Sequence, residues 1–319
     1  MKLIQIPCEG LKKAKSILIT KKYYIALSGQ RVTFMNHSFE IVKILEKFSY
    51  AYNGYVSPDE KYLLLVPTNS KHFYLISLET LEIVERVQIK NRFVTNEGRG
   101  CWSVDGRYMI LLIRNPYTFA SEVRLYDVND PTFYTIADIS ATGFHMWNIL
   151  TVPEHNAYYI LATSRKHEWT NLPESNIILI KCTDSGQEII EIEGRKELPY
   201  SLEHNPKTDR FTVCTIDNVF TCASDGKNVS VVDTGNENYF GQTPFALIPY
   251  TVKHIAASKN GKWVFLASTS GFDIFDKKTG EVLLYKEYEF GATRITEIEE
   301  NLIAVAFYHG SMRLFRIEE

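Results

Sequence analysis

The chain has 319 residues, 45% hydrophobic and 13% aromatic, with 35 Lys+Arg against 38 Asp+Glu and a formal net charge of -3. That composition excludes a disordered or low-complexity chain, and the near balance of charge argues against a generic nucleic-acid or membrane-surface binder. No stretch approaches the roughly 20 apolar residues a membrane helix needs, and a chain of this length buries a core without covalent staples.

From the N-terminus, Lys2-Leu-Ile-Gln-Ile6 alternates as a single isolated strand. After it, alternating segments such as Arg124-Leu-Tyr-Asp-Val128 and Met312-Arg-Leu-Phe-Arg-Ile317 mix with continuous β-type runs such as Tyr62-Leu-Leu-Leu-Val66 and Trp263-Val-Phe-Leu-Ala267. No long segment combines a 3.6-residue period with helix caps, so the chain reads as all-β.

A repeated unit organises these strands. Ser57-Pro-Asp-Glu-Lys-Tyr62, Ser103-Val-Asp-Gly-Arg-Tyr108 and Ser258-Lys-Asn-Gly-Lys-Trp263 each precede a buried run. Weaker copies are Val152-Pro-Glu-His-Asn156 and Asn205-Pro-Lys-Thr-Asp-Arg-Phe211, and degenerate ones are Thr20-Lys-Lys-Tyr23 and Glu299-Glu-Asn-Leu302. In each, a tight polar turn joins two strands, a basic residue covers the turn and an aromatic opens the buried strand. A second set of turns, including Val128-Asn-Asp-Pro131, Ser224-Asp-Gly-Lys227 and Asp276-Lys-Lys-Thr-Gly280, joins a third strand to a fourth. Seven anchors give about 46 residues per unit, the period of a four-stranded propeller blade.

The ends predict closure. The last unit supplies only three strands, and Leu3–Ile6 would complete it and remove an open edge. Blade boundaries then fall near 11–48, 49–90, 91–140, 141–193, 194–234, 235–289, and 290–319 plus 1–7, all within one domain spanning 1–319. No Pro/Gly/Ser-rich linker marks a second domain.

These anchors, with the Thr279-Gly-Glu281 turn, resemble the WD40/YVTN-type β-propeller superfamily along the whole chain. The Gly-His and Trp-Asp pairs of ordinary WD40 repeats do not occur in register. The resemblance therefore implies a seven-bladed platform and no particular role, since such platforms host binding and catalysis alike.

In a blade of this kind the first strand runs from one end of the wheel, here called upper, to the other. The tight Asp/Gly/Asn turns then fall on the lower end. The long connections fall on the upper end and carry Tyr117, Phe119, Trp169, Tyr239 and Phe240. Aromatics on exposed loops have the composition of a recognition patch; the competing reading is local packing over the blades. Starting each first strand in register with its anchor predicts a ring of Lys15, Asn53, Arg99, Asn148, Ser201, His254 and Arg294 about the axis, with His145 and Glu203 nearby. Three fixed positive charges in a confined ring favour an anionic ligand, water or acidic neighbours.

Compact catalytic motifs are lacking. His167-Glu168 is not followed by a second histidine at zinc-protease spacing, and the eight histidines show no close metal-ligand spacing. There is no nucleophile elbow and no phosphate-binding glycine loop. Glu203 and His204 are the best acid/base candidates, with Arg99 and Arg294 as anion stabilisers; half-buried packing is the plainer reading of that dipeptide.

The five cysteines, Cys8, Cys101, Cys182, Cys214 and Cys222, are scattered and odd in number, which fits reduced thiols in the cytoplasm, and the first residues lack the apolar core of a signal peptide. The leading expectation is a cytoplasmic, non-catalytic scaffold binding a protein partner through its loop-bearing end, without metal or cofactor. The alternative is a lactonase-like hydrolase or sensor that takes a small anionic ligand through Lys15, Arg99, His145, His254 and Arg294.

Overall fold

In a computed structural model of the chain, the described residues are 1–118, 121–130, 133–138, 145–163, 176–183, 186–195, 199–206, 208–215, 219–231, 252–276, 278–279, 281–288 and 291–318. They form seven four-stranded antiparallel sheets. Strand β1 (Lys2–Ile6) precedes the first blade, which holds β2 (Ser16–Ile19), β3 (Tyr24–Leu27), β4 (Gly29–Met35) and β5 (Ile41–Ala51). Blade 2 holds β6 (Asn53–Val56), β7 (Tyr62–Val66), β8 (His72–Ser77) and β9 (Glu82–Gln88). Blade 3 holds β10 (Val94–Trp102), β11 (Tyr108–Arg114), β12 (Ser121–Asp127) and β13 (Phe133–Asp138). Blade 4 holds β14 (His145–Val152), β15 (Ala157–Thr163), β16 (Ile177–Thr183) and β17 (Gly186–Glu191). Blade 5 holds β18 (Pro199–Asn205), β19 (Arg210–Thr215), β20 (Val219–Ala223) and β21 (Ser230–Val231). Blade 6 holds β22 (Val252–Ala257), β23 (Trp263–Ser268), β24 (Gly271–Asp276) and β25 (Val282–Glu287), and blade 7 holds β26 (Ala292–Glu299), β27 (Leu302–Phe307) and β28 (Met312–Glu318).

Blade 7 is completed by β1, which pairs antiparallel with β28 from Lys2 opposite Glu318 to Ile6 opposite Leu314. The chain's beginning thus covers the edge of its last strand and closes the wheel. The alternation within β1 serves both neighbouring seams. Leu3 packs into the core between blades 6 and 7, and Ile6 into the core between blades 7 and 1.

The repeated turn shows why its residues recur. In blade 2 the backbone N–H of Tyr62 donates to Ser57 Oγ at 2.9 Å, Ser57 Oγ donates to Asp59 Oδ1 at 2.7 Å, and Lys61 N–H donates to Asp59 Oδ1 at 3.1 Å. Blade 3 repeats this with Ser103, Asp105 and Tyr108, and blade 6 with Ser258, Asn260 and Trp263. The Ser hydroxyl and the Asp/Asn oxygen satisfy backbone donors that the turn removes from the ladder. The fourth position of each turn has positive φ, and is Gly106 or Gly261 in two copies and Glu60 in the third.

Packing between blades supplies the core. Six clusters of buried side chains each join two adjacent blades, at the seams 1–2, 2–3, 3–4, 4–5, 6–7 and 7–1. Successive residues of a first strand face opposite seams: Cys101 belongs to the core between blades 3 and 4, and Trp102 to that between blades 2 and 3. Among the described residues, no helix is long and apolar enough to cross a membrane.

Candidate functional site at the axis

The first strands surround an axial cavity of about 870 Å³. Its upper wall carries Asn53, Arg99, Asn148, Ser201, His254 and Arg294, one from each of blades 2 to 7, and blade 1 contributes Ser16. Its lower wall is more apolar, with Leu18, Val56, Pro58, Val104, Leu150 and Pro153.

A backbone device aims the upper residues. In blades 4 to 7 the pairing of the first strand with the second slips by one residue, between Met146 and Asn148, Pro199 and Ser201, Val252 and His254, and Ala292 and Arg294. The residue following each bulge lines the cavity. A bulge bends its strand and redirects the next side chain, and bulges concentrate beside functional sites. Blade 3 carries a larger irregularity between Thr95 and Gly100, directly before and around Arg99. There Gly98 adopts φ +73, and a Cβ on it would lie 2.6 Å from both Asn53 Nδ2 and the Val66 carbonyl oxygen. Only glycine fits this crossing, where Asn53 Nδ2 donates to the Glu97 carbonyl at 3.1 Å.

The cavity also holds a carboxylate. Glu203 lines its wall, with Oε1 3.3 Å from His254 Nε2. The other ring nitrogen, His254 Nδ1, accepts from the backbone N–H of Ile295 at 3.5 Å. This arrangement assigns the proton to Nε2 and commits both imidazole nitrogens. Among the described residues, the fixed charges of the wall are therefore Arg99, Arg294 and Glu203, two positive against one negative. Burial pushes the Arg294 guanidinium below its ordinary range, opposed by the negative charge of Glu203 and reinforced by Arg99. Among the described residues, Arg294 Nε is buried without a hydrogen-bond partner. Tyr55 lies close by; its hydroxyl donates to the Gly98 carbonyl at 3.1 Å, and burial pushes its pKa up against the pull of Arg99 and Arg294.

The other expected site residues fall elsewhere. Lys15 stands outside the cavity lining; its ammonium donates to the carbonyls of Phe307, at 3.0 Å, and Tyr308, tying blade 1 to blade 7. His145 sits at the upper end of β14 with its ring against Trp147, centroids 4.5 Å apart. Glu203 and His204, adjacent on β18, part company. Glu203 turns to the axis and to blade 6, whereas His204 turns to blade 4, where it meets His155 and Asp209. Tyr117 is 79% exposed in the connection after β11, where Asn115 Oδ1 accepts its backbone N–H. Phe119, Trp169, Tyr239 and Phe240 lie outside the described residues.

The chain resembles solved propellers in its backbone. The β-propeller domain of Cps50 (Swd1) from Myceliophteria thermophila superposes with a TM-score of 0.69 at 12% identity, covering 99% of this chain and 100% of that one. The fold is a WD40-like seven-bladed propeller. A second similar structure is PorZ, an essential bacterial surface component of the type-IX secretion system of Porphyromonas gingivalis. It has a TM-score of 0.67 at 10% identity, over 95% of this chain and 46% of PorZ, so the chain spans about half of that protein. No family of known sequences and no curated protein matches the chain. At these identities the likeness is one of architecture.

Proposed function

We propose that the protein is a non-catalytic binding propeller that holds a protein partner on its upper end, with an acidic group of that partner seated between Arg99 and Arg294. The observation that carries this reading is the buried Arg294 Nε, which has no acceptor among the described residues, in a wall whose carboxylate Glu203 already faces His254. A buried donor left unpaired costs about 1–3 kcal/mol, which an arriving carboxylate recovers as a charge-assisted hydrogen bond. Long stretches of chain also separate some of the strands. β15 ends at Thr163 and β16 begins at Ile177, and β21 ends at Val231 and β22 begins at Val252. Tyr117 is exposed at the upper end. Connections of such length are usually functional.

A binding role also accounts for His254. With Nδ1 accepting from Ile295 and Nε2 directed at Glu203, both nitrogens of the imidazole in the cavity wall are engaged and neither is left to act as a general base. Five free thiols support a reducing compartment such as the cytoplasm. The WD40-like neighbour supports a scaffold role by analogy of fold alone.

The test is a set of labelled peptides presenting Asp or Glu beside aromatic residues, matched to Asn/Gln versions. Acidic peptides should bind, and Arg99→Ala and Arg294→Ala should each weaken them by about tenfold or more with melting unchanged. Equal binding of the neutral peptides, or indifference to both substitutions, overturns the reading. A cavity of about 870 Å³ also lies within the size range of small-molecule sites. Turnover or thermal stabilisation by lactones or phosphorylated sugars, in place of peptide binding, would establish the small-ligand alternative.

A further inference from the structure

At the lower end of the seam between blades 4 and 5, two histidines and an aspartate converge. His155 belongs to the 3-10 turn Pro153–His155 that joins β14 to β15. His204 lies near the end of β18, and Asp209 in the turn leading to β19. His155 Nε2 is 2.7 Å from Asp209 Oδ1, and His204 Nε2 is 3.0 Å from the same oxygen. One ligand atom from each of the three residues lies within 4.8 Å of the others.

We infer that His155, His204 and Asp209 form a binding site for one divalent transition-metal ion of the zinc type, which clamps blade 4 to blade 5. Around a tetrahedral zinc with bonds of about 2.0 Å, donor atoms stand about 3.3 Å apart. The observed separations are close to that value, so the ion enters by displacing the protons shared with Asp209 and by shifts on the order of an ångström. Two imidazoles and a carboxylate are the donor set that first-row divalent ions prefer.

The far side of each ring is already prepared. A histidine that ligates through Nε2 carries its proton on Nδ1 and needs an acceptor there, which fixes its tautomer and orientation. His155 Nδ1 stands 2.8 Å from the hydroxyl oxygen of Tyr159, a buried residue. His204 Nδ1 faces Glu154 Oε2 at 3.9 Å. His204 is further held by the ring of Phe211, centroids 5.1 Å apart. Asp209 is 56% exposed and occupies the left-handed region at φ 50, so the site opens to solvent on its side. The arrangement has half-buried imidazoles, oriented outer partners and one open side. It shares no residue with the axial ring and stands whether or not that ring binds an acidic partner.

The experiment uses the full chain stripped with a chelator and titrated with Co²⁺, whose visible bands report coordination, followed by displacement with Zn²⁺. One Co²⁺ per chain should bind with tetrahedral-type absorption, and Zn²⁺ should displace it and raise the melting temperature. Asp209→Asn keeps the turn and its backbone conformation and should weaken the metal by about tenfold or more; His155→Gln should abolish saturable binding. Glu154→Gln should weaken it less. Absence of saturable binding to the unaltered chain overturns the site. Unchanged stoichiometry and affinity in both Asp209→Asn and His155→Gln, each with native circular dichroism, does the same by placing the metal elsewhere.

Discussion

Glu203 and His204 are consecutive residues of one strand, yet they belong to different regions with different physics. Glu203 looks into a wide cavity beside His254 and the arginines, where Arg294 Nε finds no hydrogen-bond partner among the described residues. His204 looks into the seam between blades 4 and 5, where Phe211, Val213 and Phe220 are fully buried and polar atoms are paired. The contrast teaches that the seams hold the wheel together while the axial wall is available for recognition. Substitutions in the seams should therefore register in melting, and substitutions in the upper ring should register in binding.

The largest effect should come from opening the wheel. Deleting residues 1–6 removes the ladder to β28, withdraws Leu3 and Ile6 from two seams and bares the edge of blade 7. We expect a fall in melting temperature of about 10 °C or more, with aggregation through the exposed edge. A truncated chain that melts like the full one would mean that closure is not what secures the seams.

Next comes a single seam residue. Phe211 is 0% exposed and packs against Tyr159, ring centroids 4.6 Å apart. Phe211→Ala should cost about 3–5 kcal/mol in chemical denaturation. It should leave peptide binding at the ring intact. Loss of binding at equal folded fraction would show that the two regions are not separable.

The dryness of the seams can be read from thiols. Burial pushes Cys101 and Cys182 up to about 12 and Cys222 up to about 11, from an ordinary 9.0. The thiolate is the reactive form, so at pH 8 these three should resist iodoacetamide in the folded protein and react only on unfolding, as mass spectrometry of the labelled chain would show. The sign for stability follows. The unfolded chain releases these protons at lower pH than the folded one, so their contribution is complete below pH 9 and is lost as pH rises toward 11 to 12. Rapid native labelling of Cys101, whose strand also lines the cavity, would mean that water penetrates the seam between blades 3 and 4.

Much of this architecture was legible because it is local and periodic. The Ser-x-Asp/Asn-x-Lys/Arg-aromatic turn closes on its own side chains, so its copies announce themselves wherever they occur. The orphan strand Lys2–Ile6 was legible from a missing partner at the other end. Counting back from the anchors also located Asn53, Arg99, Asn148, Ser201, His254 and Arg294 on the cavity wall. Counting placed Lys15 one residue away from the position that Ser16 occupies, because the anchor of blade 1 is degenerate and gives no sharp origin. The bulges before the ring residues left no mark in composition, since Trp147, Tyr200, Lys253 and Thr293 share no property. The grouping of His155, His204 and Asp209 was hidden because a search for metal spacing within one segment cannot see across a seam. A usable signal existed: two histidines at the lower turns of consecutive blades, about one repeat apart, become neighbours once the blades are stacked.

The smallest expected effect is also the sharpest discriminator, because it uses adjacent residues. Glu203→Gln keeps a hydrogen-bond acceptor for His254 Nε2 but removes the ring's negative charge, leaving Arg99 and Arg294 unopposed. Melting should change by about 1 °C or less, since the Glu203 side chain is 47% exposed. Affinity for an acidic peptide should rise, because a like charge near the incoming carboxylate has gone; a difference of about 1 kcal/mol corresponds to about fivefold. His204→Gln, one residue along, should leave peptide affinity alone and instead weaken the junction with His155 and Asp209. If Glu203→Gln lowers affinity, Glu203 is recognising a cationic group of the partner, and the sign of the ligand at the axis is the reverse of the one argued here.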